Sequence, residues 1–254
     1  MIKFFRRIRQ NLLSQGKTRH YFKYAIGEII LVVIGILIAL SINNWNENRK
    51  NKQAESNYYC RILEDFELNE KLINASLEGI TDRIRISKKI IVDLHKTPNN
   101  KSEILNDFLH ALRQNVFVPS TITFEELSSS GNLNLIRDIQ LKNRLIEFNT
   151  FLENTLDLLD ENRDELNKRM INFESATEFG IQEFDYLKQE LGKEIVQLFP
   201  TTDWTNNKKD KTFLQFQDNL VFLVAMYVRQ KEHLSKLKKE MEEPMQRLKN
   251  KKCN

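Results

Sequence analysis

Residues 24–45, YAIGEIILVVIGILIALSINNW, constrain this chain more than any other stretch. The 19 residues from Tyr24 to Ile42 are apolar except for Gly27, Glu28, Gly35 and Ser41. At a rise of ~1.5 Å per residue they make a helix of roughly 28 Å, about the thickness of a bilayer's hydrocarbon core. The rest of the chain is polar, and 29% of all residues are charged. The run therefore reads as an anchor on an otherwise water-facing protein. Ala39-Leu40-Ser41 offers small residues at the spacing of a signal-peptide cleavage site. The span is longer than the ~7–15 residues of a signal h-region, however, and a long flank precedes it, so an uncleaved anchor is expected.

The flanks give the orientation. Residues 1–23 carry Lys3, Arg6, Arg7, Arg9, Lys17, Arg19 and Lys23 and no acid, leaving −3 for the remainder of a chain whose net charge is +4. After the span, Arg49, Lys50 and Lys52 are mixed with Glu47 and Glu55. The positive-inside rule then puts the N-terminus in the cytoplasm and residues 46–254 outside. Trp45 is the expected outer-interface anchor. The basic flank argues for anionic lipid headgroups rather than nucleic acid, because no reader fold accompanies it. Phe4, Phe5, Ile8 and Leu12 share one helical face and Arg6 and Arg7 lie opposite. An interfacial helix contacting headgroups through Arg6, Arg7 and Arg9 is expected over residues 1–16.

Within the span, Gly27, Leu31, Gly35 and Ala39 recur every four residues. Gly35 and Ala39 form a small-xxx-small pair, which lets helix backbones approach closely. Glu28 is an ionisable group inside an apolar run. Glu28, Gly35 and Ala39 are therefore the candidate in-membrane partner contacts. Each has a plainer reading: Glu28 lies one turn inside the span and can reach the headgroups, and small-residue pairs arise by chance.

Beyond a polar stalk (46–58), three stripes of apolar residues keep seven-residue spacing. They are Tyr59, Phe66, Ile73, Ile80 and Leu94; Leu145, Leu152, Leu159, Leu166 and Phe173; and Phe213, Leu220, Tyr227, Leu234, Met241 and Leu248. Such stripes predict seams of a coiled-coil-like bundle. Leu63, Leu77, Ile84 and Ile91 flank the first stripe. Between stripes one and two, Ser102 is expected to cap one short helix. A Thr123/Glu126 capping box opens a second, with Gly131 closing it. Residues 176–199 read as one or two short helices, 200–211 as an exposed loop tip, and Pro244 as a residue that ends or kinks the last helix. The expected fold is all-α: one transmembrane helix (18–45), the stalk, and an elongated four-helix-like bundle (59–254).

Catalytic signatures are missing. There is no GxSxG, P-loop, GxGxxG or HExxH. His20, His95, His110 and His233 have no ligand spacing with one another or with cysteine, so no metal, cofactor, catalytic residue or small-molecule substrate is assigned. Cys60 and Cys253 both fall at the membrane-proximal end of the expected bundle, where an oxidising compartment would allow them to pair.

The run KYAIGEIILVVIGILIALSINNWNENRK, preceded by MIKFFRRIRQNLLSQGKTRHY, resembles the opening of an uncharacterised family of bacterial single-pass membrane proteins. FEELSSSGNLNLIRD, Phe124 to Asp138, is similar to its internal motif. The resemblance implies a short basic N-terminus, one anchor helix and a helical soluble domain. It implies no activity and transfers no functional residue. Ser41 departs from it, where a larger polar residue is expected. The reading that follows is a non-enzymatic, membrane-anchored scaffold or adaptor contacting lipids and either another envelope protein or its own copies. The alternative is an extracytoplasmic ligand-sensing or inhibitory module that signals through its transmembrane helix.

Overall fold

The computed structural model describes residues 18–113, 116–171, 175–199 and 202–251. The fold is all-α, with no strand among the described residues. The chain divides into two compact units, Met1–Asn57 and Tyr58–Asn254. Helix α1, Thr18–Leu94, contributes to both.

In the first unit, α1 carries the apolar run. An 18-residue window has a mean hydropathy of 2.8 and none of its residues is buried. By length and composition the helix can cross a membrane. The interfacial arm with Arg6, Arg7 and Arg9 lies outside the described residues.

The second unit takes the remainder of α1 with α2 (Lys101–Leu112), α3 (Ile122–Ser129), α4 (Ile139–Ile171), α5 (Ala176–Phe179), α6 (Asp185–Gln197) and α7 (Lys211–Lys249). Three long helices form its frame. Lys251 lies over the Tyr59 ring, Arg83 over Tyr227, and His95 meets Phe213 edge-on, so α7 runs antiparallel to α1. Lys251 pairs with Asp138, Arg229 donates to Asn162, and Arg169 sits 3.8 Å from the Phe222 ring centroid, so α7 also runs antiparallel to α4.

The seven-residue stripes are the seams of this frame. Tyr59, Phe66, Ile73, Ile80 and Leu94 are buried on α1, Leu145, Leu152 and Leu166 on α4, and the whole stripe Phe213 to Leu248 on α7. Leu159 is partly buried against the same core, and Phe173 lies outside the described residues. Each fully buried Leu, Ile or Phe side chain contributes roughly 1.5–3 kcal/mol relative to exposure. Leu63, Leu77, Ile84 and Ile91 are only partly buried.

The short elements depart from expectation at their ends. Asn100, not Ser102, caps α2, its side chain accepting from the Glu103 amide. Asparagine satisfies an orphan first-turn donor at that position. The Thr123/Glu126 capping box does not form, because α3 starts two residues earlier than that box requires, behind Thr121. Thr123 is buried and its amide donates instead to Asp65 of α1. Glu126 accepts from Arg61 at 2.5 Å and from the Tyr58 hydroxyl at 3.0 Å. Gly131 follows α3 at φ 71°, the left-handed value that glycine adopts without a Cβ clash.

Within the 200–211 segment most of the described residues are exposed, but Trp204 and Thr205 are buried. Trp204 is 1% exposed, stacks on Phe179 and meets Phe216 edge-on. Its indole donates to the Phe179 carbonyl at 2.9 Å. One large aromatic with a partnered N–H outweighs a polar neighbourhood. Helix α7 continues through Pro244 to Lys249. Pro244 is buried on the seam, and beyond it Leu248 is buried while Arg247 donates to Glu243 and Gln140. That packing offsets the one backbone hydrogen bond proline cannot make.

Candidate functional site

A second seven-residue series runs beside each apolar stripe, and it is mixed. On α1 it reads Ile62, Asn69, Ser76, Arg83 and Ile90. On α7 it reads Phe216, Leu223, Gln230, Leu237 and Pro244. On α4 it reads Phe148, Thr155 and Asn162. Ile62, Asn69, Arg83 and Ile90 are buried, as are Thr155, Asn162 and Gln230. A polar layer therefore crosses the middle of an otherwise apolar core.

Where this layer meets the chain returning after α2, a cavity of about 80 Å3 opens. Ser76, Ile80, Arg83, Phe117, Leu156 and Gln230 line it, among others. Arg83 is the unusual member, with only 8% of the residue exposed. Its Nη1 donates to the Arg113 carbonyl at 3.3 Å and its guanidinium carbon lies 5.3 Å from the Tyr227 ring centroid. Its Nε is buried without a partner, and no carboxylate forms an ion pair with it among the described residues. Burial pulls its pKa below the ordinary arginine value, although arginine stays charged at any biological pH. Gly79 makes room for it: a Cβ there would meet Nη1 at 3.4 Å. Asp82 acts on the guanidinium through space without forming an ion pair, and a buried cation with no carboxylate in contact is costly.

The mouth of the cavity carries both signs. Val116 is exposed there, and Arg163 pairs with Asp160 at 3.0 Å. Ser87, one turn along α1 from Arg83, is fully buried with an unpartnered hydroxyl, and the Asn162 side-chain amide nitrogen is likewise unpartnered.

Sequence reasoning followed the apolar stripes and passed over this layer. The signal was present: Asn69, Ser76 and Arg83 interrupt a seven-residue series that starts and ends with isoleucine.

The nominated membrane residues lie on the described helix. Glu28, Gly35 and Ala39 are seven and four residues apart, so they share a face. A Cβ at Gly35 would meet nothing within 4 Å. Trp45 is 68% exposed, with Arg49 5.9 Å from its ring centroid. Cys60 is disulfide-bonded. Cys253 lies outside the described residues.

One acidic cluster could be mistaken for a metal site. Oxygens of Asp93, Glu103 and Asp107 lie within 4.8 Å of one another. Lys89 Nζ reaches all three carboxylates, at 3.3, 2.8 and 2.6 Å. The ammonium stands where a cation would, and Asp107 and Glu103 hold its pKa above the ordinary lysine value.

A family of unknown function, DUF6090, matches residues 28–80. The match covers most of the apolar span and the part of α1 that ends at Ile80, three residues short of Arg83. No curated protein and no solved structure matches the chain.

Proposed function

We propose that this protein is a single-pass helical scaffold or adaptor of a bacterial inner membrane. Its N-terminus is cytoplasmic, its helical unit faces the periplasm, and it binds another envelope protein. The observation that carries this reading is the apolar run of α1, from which no residue of the most hydropathic window is buried. A water-soluble protein rarely leaves so large a contiguous apolar surface uncovered. The seven cations ahead of the span and the disulfide at Cys60 both support the orientation, since disulfides persist in oxidising compartments. No catalytic signature competes with a binding role.

The test has two parts. A reporter that is active only outside the cytoplasm is fused after Lys251 and, separately, before Met1. Activity from the C-terminal fusion alone is expected, and the opposite pattern overturns the orientation. A photo-crosslinking side chain at Leu31 is then used in intact cells, alone and with Glu28→Gln or Gly35→Leu. A discrete protein adduct that both substitutions reduce supports the adaptor. Adducts to lipid only, unchanged by either substitution, overturn contact through this face.

A second reading, a ligand-sensing or inhibitory module signalling through its transmembrane helix, is favoured by the cavity at Arg83.

A further inference from the structure

We infer that the Arg83 cavity is a binding site for a short-chain aliphatic monocarboxylate. This deepens the sensing reading by naming its ligand class, but binding itself depends on neither orientation nor signalling.

Four observations converge. Arg83 is buried to more than nine-tenths and lines the cavity; its Nε is fully enclosed and its Nη1 donates to the Arg113 carbonyl, which leaves Nη2 as the donor open to a ligand. The described residues supply no carboxylate ion pair to it, although each of the other charged residues at the cavity, Asp160 and Arg163, is paired. A carboxylate is the anion whose two oxygens fit the guanidinium fork. Most of the remaining lining residues are apolar, among them Ile80, Phe117, Leu156, Leu159 and Leu234. An alkyl tail suits those apolar side chains, which a phosphate or sulfate would leave without a partner. Size sets the length. A water takes ≈ 30 Å3 of liquid volume and benzene occupies an engineered cavity of about 150 Å3. A space of about 80 Å3 therefore holds a few heavy atoms, in the range of acetate to butyrate.

The polar layer adds donors at the charged end. Ser76 and Gln230 line the same cavity, and either can hydrogen-bond a carboxylate oxygen that Arg83 does not saturate. The Tyr227 face and the Arg113 carbonyl hold the guanidinium in place, so little side-chain freedom is lost on binding. Asp160 and Arg163 neutralise each other at the mouth, so among the described residues Arg83 is the one unpaired charge of the cavity and a single negative charge matches it.

The experiment uses the full chain in detergent micelles. Thermal unfolding is followed with acetate, propionate, butyrate, the matched primary alcohols, chloride and inorganic phosphate, at constant ionic strength. A saturable rise in midpoint with at least one of the carboxylates, absent with its alcohol, chloride and phosphate, is expected. Arg83→Met removes the charge but keeps the stem, and should weaken the apparent affinity at least tenfold. Should that variant not fold, Leu156→Phe fills the apolar end and leaves Arg83 intact. It should shift preference towards acetate and weaken butyrate at least tenfold. Equal shifts from carboxylates and chloride, or the same carboxylate response in both variants as in the native chain, overturn the site and leave Arg83 as a hydrated structural cation.

Discussion

Asn69 and Ser120 hold each other by two hydrogen bonds. Asn69 Nδ2 donates to the Ser120 carbonyl at 2.8 Å, and the Ser120 amide donates to Asn69 Oδ1 at 2.7 Å. The side-chain amide imitates a neighbouring backbone and satisfies both polar groups of an extended segment that has no secondary structure of its own. Asp65 reinforces it, accepting from the Ser120 hydroxyl at 2.6 Å and from the Thr123 amide at 3.1 Å. One turn of α1 thus docks the connection between α2 and α3.

Asn69→Leu should therefore cost roughly 2–4 kcal/mol. It fits an apolar side chain into the seam but strands the Ser120 amide and carbonyl, each worth about 1–3 kcal/mol when left unmade. Urea unfolding of the full chain in detergent measures it. A cost below about 1 kcal/mol would mean that water replaces the asparagine amide at no penalty.

Trp204 makes a second separable claim. Trp204→Phe keeps an aromatic ring beside Phe179 and Phe216 but leaves the Phe179 carbonyl without its indole donor. It should cost about 1–3 kcal/mol. Trp204→Ala should cost roughly 3–5 kcal/mol, because the cavity is added to the lost bond. Equal costs for the two substitutions would assign all of the effect to the hydrogen bond.

The contrast between these residues and the stripes explains what the chain made legible. Tyr59, Leu145 and Phe213 begin series whose period matches the α-helix, so burial repeats and pattern reading finds it. Trp204 belongs to no series. Its burial depends on Phe179 and Phe216, which come from other parts of the chain, and the surrounding TTDWTNNKKDK is as polar as any surface loop. Arg83 is an intermediate case. Its seven-residue series is periodic, but a cation within it reads as a solvated edge until Tyr227 and the Arg113 carbonyl are seen to enclose it. Thr123 failed as a cap for a related reason. Its amide is satisfied by Asp65, 58 residues away, and no local motif reports a donor that distant.

The start of α4 should make stability depend on acid. Asp138 accepts from the Leu141 amide at 3.0 Å, and Lys251 Nζ lies 2.7 Å from its other oxygen. The Leu141 hydrogen bond first, and Lys251 second, hold the Asp138 carboxyl below its usual range. The unfolded chain then binds this proton more readily than the folded one. The stabilisation is complete above the unfolded carboxylate value of about 3.9 and is lost as pH falls through the folded value. Asp138→Asn keeps a capping oxygen for Leu141 but has no carboxyl to titrate. Between pH 6 and roughly pH 2 the urea midpoint of this variant should fall less steeply than that of the native chain. Parallel curves would show that Asp138 does not link protons to folding.

Ser87 offers the sharpest test of the polar layer, because the expected sign is a gain. It occupies the position in the first α1 stripe between Ile80 and Leu94, is fully buried, and has a hydroxyl without a partner. An unmade buried hydrogen bond costs about 1–3 kcal/mol, whereas alanine is nearly isosteric and helix-favouring. Ser87→Ala should therefore stabilise the full chain by about 1 kcal/mol. The urea midpoint should rise with the slope unchanged, since the surface exposed on unfolding is the same. Arg83 lies one turn away, so the same variant should leave carboxylate binding intact. A lowered midpoint would place an ordered water on the Ser87 hydroxyl.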